Sequence, residues 1–418
     1  MAVVRISRSG AEKDSPRLSW PGRQAGDLVV EPAFPSLMQR WGHSDEAGEL
    51  MLGDNLGLLA SLEPGSVRLA YLDPPFFSGQ RYLHRTRAGE RSFTAPAFED
   101  RWKESLPEYL SFLEDRLRLV ARALASDGSL YVHLDSSAVH YVKVLLDEIM
   151  GKGRFSRQII WRIGWVSGYK TRVDNWVRNH DVILYYARPG AHFEKKLLPH
   201  PEGYSRRSGP PGEGRPIEDV WTDLPSIQLM SFTAEKTGWS TQKSEALLRR
   251  IVQASSRPAD LVLDPFCGAG TTAVAAASEG RRFVAMDSSS LAIHLARCRL
   301  LDGGVSFTVS GTEPRPAGPV VAEVEQGSGG PSVALRDVPE AAGPVGAGWR
   351  ECLDAWWLVR TSKPASPIWF AHRRRARKPA LVPDTSSRLR GVSHRERLNV
   401  VAVDLAGRCH VGEARPVG

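Results

Sequence analysis

Between residues 48 and 301 the apolar positions of this chain alternate between two rhythms. Short runs such as VRLAYL (67–72), GSLYVHL (128–134), DVILYYA (181–187), LVLDPF (261–266) and RFVAMD (282–287) are nearly unbroken. Unbroken runs of that length predict strands covered on both faces, as in a parallel sheet. GELMLGD (48–54) and SRQIIWRI (156–163) predict two more. Between them, apolar residues recur at helical spacing in PEYLSFLEDRLRLVARAL (107–124), AVHYVKVLLDEIM (138–150), TQKSEALLRRIVQASS (241–256), TTAVAAASEG (271–280) and SLAIHLARCRLL (290–301). A proline opens the first of these helices, and Gly151 closes the second. The alternation predicts an α/β fold with a doubly wound, mostly parallel sheet.

Outside that span the pattern weakens. Residues 1–45 are polar, with Pro and Gly, and predict a loosely docked N-terminal arm. Periodicity also fails from 189 to 240, where HPEGYSRRSGPPGEGRP marks a loop-rich insertion. Loops of that size within a compact domain are usually functional or disordered. Residues 310–348, rich in Gly, Pro, Ala and Val, read as a linker. Residues 349–418 read as a small β-rich C-terminal region, with LNVVAVDLAGRCHV folding as two strands about an Ala-Gly turn. The α/β domain is thus expected at 46–309, and removing 311–418 is expected to leave it folded.

Composition changes this picture little. Of 418 residues, 42% are hydrophobic and 24% charged, ordinary for a globular protein. No apolar run approaches the roughly 20 residues of a membrane span. The N-terminus lacks the apolar core of a signal peptide, so a cytoplasmic location is expected. The four cysteines show neither a CxxC pair nor metal-ligand spacing, so neither a metal site nor a disulfide is expected. A net charge of +8 favours polyanions without proving a nucleic-acid partner.

Two turns carry chemistry. The first is YLDPPFFSG (71–79), where a buried strand runs straight into an acid, two prolines and two aromatics. Prolines fix φ and remove N–H donors. Asp73 and the Pro74 carbonyl then offer acceptors beside the flat ring of Phe76, with Pro75 stiffening the turn. That combination suits a planar group bearing hydrogen-bond donors. The second is LDPFCGAGTT (263–272), between a strand's end and a helix's start, the usual binding crevice of an open α/β sheet. Gly268 and Gly270 remove side chains where backbone must approach a ligand or take φ > 0. The third glycine of a dinucleotide fingerprint is absent, and no Gly-Lys-Ser/Thr follows as in a Walker loop. Asp287 ends the next strand, placed to accept from ribose hydroxyls.

Together the turns resemble those of the S-adenosyl-L-methionine-dependent DNA amino-methyltransferases, in the permuted beta arrangement where the catalytic motif precedes the cofactor motif. DPPF matches that family's [DNS]PP[YFW] signature and DPFCGAGTT its cofactor loop; the likeness extends over roughly 48–301. Ser244 departs from it, standing where the family usually has proline after TQK.

The resemblance implies a Rossmann-like fold and methylation of an exocyclic amine after base flipping. Asp73, Pro74, Pro75 and Phe76 would clamp the base. Phe266, Gly268, Gly270, Thr271 and Thr272 would line the cofactor, with Asp264 at its ammonium and Asp287 at its ribose. Asp54 would lie near its adenine, and Thr241 and Lys243 near its carboxylate. An aspartate in the catalytic motif leans toward adenine N6 rather than cytosine N4. A catalytically silent DNA-binding subunit is a further alternative.

Double-stranded DNA is the implied partner. The reading admits a cognate restriction endonuclease and a homodimer besides. The insertion 189–240 lies where the family puts target recognition, and Tyr204, Arg206, Arg207 and Arg215 suit base and phosphate contacts. Lys170, Arg172 and Arg178 in the preceding segment are expected on phosphates, and HRRRARK (372–378) is a second phosphate candidate.

Overall fold

The structure, a computed structural model, describes residues 3–9, 16–42, 47–88, 91–100, 102, 105–165, 172, 174–200, 214–230, 233, 235–312, 315–327, 330–343, 347, 349–372, 386–389 and 397–416. A ten-stranded sheet forms its centre. In spatial order its strands are Val220–Trp221, Phe155–Arg162, His180–Ala187, Leu124–Leu134, Val67–Leu72, Leu261–Asp264, Arg282–Asp287, Gly48–Leu52, Phe307–Gly311 and Ser36–Trp41. The six from Leu124–Leu134 to Phe307–Gly311 run parallel.

Both faces of the sheet are covered, which is why its central strands read as unbroken apolar runs. Ala70, Leu72 and Val132 turn to one face and pack with Leu58, Leu113 and Val142 from helices Asn55–Ser61, Leu106–Ala123 and Val139–Met150. Leu69 and Tyr71 turn to the other, against Leu247, Ala275 and Ile293 from helices Glu245–Ser255, Thr271–Ser278 and Ser290–Asp302. Local signals set the helix ends. Ser105 accepts from the amide of Glu108, Ser289 accepts from that of Ala292, and Gly151 leaves its helix at φ 92°.

Three expectations need correction. The N-terminal arm is docked: Ser36–Trp41 is an edge strand of the sheet, and Trp20, Leu28 and Val30 are buried in the core. Arg8 and Arg23 reach the buried Glu114 at 3.2 and 2.8 Å, and Arg23 also pairs with Glu148 at 2.7 Å. Strands of three to six residues are too short to show a period.

The 310–348 linker contains a hairpin, Val321–Gly327 with Gly330–Asp337. Val321–Gly327 runs parallel beside Cys409–Pro416, inside a seven-stranded C-terminal sheet. That sheet is also not separable in the way expected. Trp357, Val359 and Val403 share a core with Trp41, Ile293 and Ala296. His294 Nε2 lies 2.8 Å from Asp354 Oδ2 across the same junction, both groups buried.

Nothing in the pattern announced the two-stranded ribbon Arg81–Ala88 with Arg91–Glu99. Pro96 interrupts its second run, and polar residues alternate through both strands.

The shared core generates a first prediction. Trp357→Ala is expected to destabilise the whole chain by about 3–5 kcal/mol, the range for emptying a buried aromatic site. Urea unfolding followed at the α/β domain checks it; an unchanged midpoint would show that the two sheets are independent.

Candidate active site

Val262 and Leu263 pair in parallel with Leu69 and Ala70, so both chemical turns leave the sheet side by side at its carboxyl edge. Between them opens a cavity of about 730 Å³. Asp73 and Pro75 line it from the first turn, and Asp264, Phe266, Gly268, Thr271 and Thr272 from the second. Asp54, Thr241, Lys243 and Asp287 complete its polar wall, while Trp102, Phe112 and Trp239 supply apolar wall. Every residue proposed from sequence for the cofactor borders this space except Gly270, which lies just behind it. Pro74 is buried within the catalytic turn.

Asp73 Oδ2 accepts from Lys243 Nζ at 2.5 Å. Lys243, which the resemblance puts near the cofactor's carboxylate, lines the cavity and also ties the approach to helix Glu245–Ser255 to the catalytic turn. Its ammonium also stands 5.1 Å from the centre of the Phe76 ring. The other oxygen, Asp73 Oδ1, is buried and has no hydrogen-bond partner among the described residues. The Phe76 ring stacks on His133, with centroids 5.9 Å apart and planes at 23°.

His133 is held from both sides. Its Nδ1 meets the Tyr71 hydroxyl at 2.8 Å and its Nε2 meets Asp181 Oδ2 at 3.3 Å. This histidine lies in the Leu124–Leu134 strand. It is buried, yet it forms the floor beneath the catalytic ring, a role visible only once the Val67–Leu72 and Leu124–Leu134 strands pair.

In the second turn, Gly268 (φ 49°) and Gly270 (φ 73°) occupy left-handed backbone. A Cβ on Gly270 would stand 2.5 Å from that of Ala296, so helix Ser290–Asp302 packs directly on the loop. Asp264 accepts from the Phe266 amide at 3.0 Å and from the Thr272 hydroxyl. Asp287 accepts from the amides of Gly268 at 2.9 Å and Ser289 at 2.8 Å. Thr271 Oγ1 donates to the Lys243 carbonyl at 3.3 Å and accepts from Arg299 at 2.9 Å. Burial pushes the Asp264 carboxyl up to about 7, opposed by those two donors and reinforced by the charges of Asp73 and Asp287. Burial likewise pushes Asp287 up to about 6.

Asp54 caps helix Asn55–Ser61 and pairs with Arg116 at 2.7 Å. Arg116 also donates to Asn55 Oδ1 at 2.5 Å, and Asn55 Nδ2 to the Pro265 carbonyl at 2.6 Å. This chain links the Asp54 end of the cavity to the cofactor loop and was not read from sequence.

The DNA-facing candidates divide. Arg172 is exposed. Arg178 is held against Asp181 and stands 3.8 Å from Asp135, so it is an ion-paired residue at the rim rather than a free cation. Arg215 pairs with Glu218 at 3.3 Å. Lys170, Tyr204, Arg206, Arg207 and most of HRRRARK lie outside the described residues.

A family model described as DNA methylase, for N6 and N4 methyltransferases, matches residues 67–297, more than half of the chain. The chain therefore belongs to the N6/N4 DNA methylase family, and the resemblance read from its two turns is borne out. It is 27% identical over 351 residues to the type II methyltransferase M.EcaI of Enterobacter cloacae, covering 66% of this chain and 75% of that one. The DNA adenine methyltransferase YhdJ of Escherichia coli K12 is 27% identical over 276 residues, covering 61% and 83%. Among solved structures, the cytosine-N4-specific PvuII DNA methyltransferase aligns with a TM-score of 0.44 at 18% identity, covering 65% of this chain and 92% of that one.

Membership makes the protein an S-adenosyl-L-methionine-dependent DNA methyltransferase. The cavity fits that cofactor. Its volume suits a small-molecule site. Among the described residues Asp264 and Asp287 have only uncharged donors, an arrangement that suits a cationic ligand.

A pH dependence follows. The unfolded chain ionises these acids near 3.8, the folded one near 6 to 7. Between those limits the folded protein binds more protons, so the ligand-free protein loses stability as pH rises through the window. The cation wants the carboxylates ionised, so its affinity should move oppositely and fall as pH drops below about 7. Calorimetry at pH 6 in buffers of different ionisation enthalpy should register proton release on cofactor binding. Pure pH-independent binding would remove Asp264 from the ammonium.

Proposed function

We propose that the protein methylates the exocyclic N6 of adenine in double-stranded DNA, after flipping the base into the crevice. The observation that carries this reading is the state of Asp73: one oxygen fixed by Lys243, the other buried without a partner, and both beside the cofactor cavity. S-adenosyl-L-methionine supplies a methyl group on a positively charged sulfur. The amine is a poor nucleophile because its lone pair is delocalised into the ring. Asp73 Oδ1 accepts one amine hydrogen and the Pro74 carbonyl the other. These contacts favour tetrahedral nitrogen and stabilise the positive charge that develops there. Phe76, backed by His133, stacks on the base.

Adenine is favoured over cytosine by the aspartate that opens the catalytic motif and by the relative named a DNA adenine methyltransferase. We read the strand order, with the catalytic turn early and the cofactor turn late in the chain, as the permuted arrangement. The duplex lies along the edge that carries Arg172 and the start of strand His180–Ala187, with the insertion beyond it. The type II methyltransferases among its relatives support a modification role beside a cognate restriction endonuclease, in the cytoplasm.

Asp73→Asn should lower turnover by roughly 10²–10³, the scale of losing one group that stabilises developing charge. Cofactor affinity should hardly change. Substantial residual activity would take Asp73 out of the clamp. Methylation-sensitive sequencing of DNA from a host expressing the protein, with mass spectrometry of the digested nucleosides, tests the product. N6-methyladenine in one sequence motif is expected. N4-methylcytosine alone would overturn the base assignment and keep the clamp, whereas 5-methylcytosine would overturn both.

A further inference from the structure

One carboxylate joins the base clamp to the wall of the cofactor cavity. Asp100 follows directly on the Arg91–Glu99 strand and is fully buried. Its Oδ2 accepts from the amides of Phe76 at 3.1 Å and Ser78 at 2.7 Å, and from the Ser78 hydroxyl at 2.6 Å. Its Oδ1 accepts from the Phe77 amide at 3.1 Å and from Trp102 Nε1 at 2.8 Å. Three successive backbone N–H groups thus converge on one anion, the concave arrangement that binds negative charge. Phe77 sits at φ 61°, a conformation that a residue with a bulky side chain keeps only when its surroundings hold it there.

The Trp102 end of this arrangement borders the cofactor cavity. Its ring packs on Phe112 with centroids 4.7 Å apart, and Phe112 lies 6.2 Å from Phe266 of the cofactor loop. Phe112 also carries the Arg116 guanidinium 3.6 Å above its face, and Arg116 pairs with Asp54. A ligand in the cavity therefore presses on groups whose next neighbour is the carboxylate that shapes the catalytic turn.

We propose that Asp100 is a positioning residue that couples occupancy of the cofactor cavity, through Trp102, to the geometry of the target-base clamp. The proposal rests on the methyltransferase reading above. A filled cavity holds the Trp102 indole in place, the indole holds Asp100 Oδ1, and the same carboxylate sets the backbone of Phe76, Phe77 and Ser78. The clamp is then best formed when the methyl donor is present, and cofactor and flipped base bind with positive coupling.

Two variants of the full chain test this. Asp100→Asn keeps the size of the side chain, but its amide NH₂ must face one of the two sets of donors whichever way it turns. Trp102→Phe keeps an aromatic ring in the wall and removes a single donor. The probe is a duplex carrying the motif read from host DNA, with 2-aminopurine at the target adenine and S-adenosylhomocysteine as non-reacting ligand. In the wild type, that ligand should raise the fluorescence of the flipped base and tighten the duplex.

In Asp100→Asn S-adenosylhomocysteine affinity should stay within about threefold, and in both variants the ligand-dependent rise is lost under saturating ligand. Single-turnover methylation should fall roughly tenfold to a hundredfold in Asp100→Asn, the scale of a small misplacement of reacting groups. A folded variant with the full ligand-dependent rise and wild-type turnover overturns the proposal, as does a wild type with no such rise. If Asp100→Asn does not fold, Trp102→Phe decides by the same two readouts. A wild type that transfers no methyl group to DNA would fail the functional reading itself, which the product analysis registers separately.

Discussion

The pairing of Leu69 and Ala70 with Val262 and Leu263 is the contact on which the rest of the crevice depends. The two strands are remote in the chain, yet they sit side by side and parallel. Apart from Arg68, which pairs with Asp127 at the surface, their side chains are apolar or end in the site, so burial on both sheet faces fixes their register. A slip of one residue would turn Leu69 and Tyr71 to the opposite face and pull them from their cluster with Leu247 and Ile251. Because register is fixed, Asp73 and Asp264 leave the sheet at neighbouring points, and Lys243 can reach across to Asp73.

Around that seam the polar groups are arranged by what each must leave free. Lys243 occupies one oxygen of Asp73 and leaves the other bare. Asp100 gathers the amides after Phe76, so the turn does not relax into local hydrogen bonds of its own. His133 is held by Tyr71 and Asp181, and so presents a fixed flat surface under Phe76. Each of these groups is buried, where a lost partner costs about 1–3 kcal/mol.

Much of this was legible in the sequence because it is written in local patterns. Unbroken apolar runs mark the central strands, helical spacing marks five of the six helices that cover them, the short Asn55–Ser61 being the exception, and DPPF and DPFCGAGTT mark the two turns. What escaped reading depends on distant partners. The contact of Lys243 with Asp73 is one case, because the TQK run that contains Lys243 says nothing about a residue far earlier in the chain. Asp100 and Trp102 stood in a stretch without clear period, and only the folded ribbon brings them to the turn. The short strands of residues 4–41 and the hairpin at 321–337 take their stability from edges supplied by other segments, so neither shows an amphipathic signature of its own.

Five acids line the cavity, and their partners differ in kind. Asp54, Asp73 and Glu99 have cations, Arg116, Lys243 and Arg81. Among the described residues, Asp264 and Asp287 have only backbone amides and a threonine hydroxyl. Dipolar donors stabilise a buried carboxylate less than a full charge does, which is why burial wins at these two and raises them. The uncompensated acids are the two that hold the backbone of the glycine loop. Charge is thus left unfinished only on the cofactor side, so a cation completes the folded state there and adds its binding free energy to the stability of the native chain. A neutral purine nucleoside would gain the aromatic wall of Trp102 and Phe112 but would leave the two acids as they were. A positively charged ligand is therefore favoured at that loop by what the protein withholds from Asp264 and Asp287, more than by any contact it supplies.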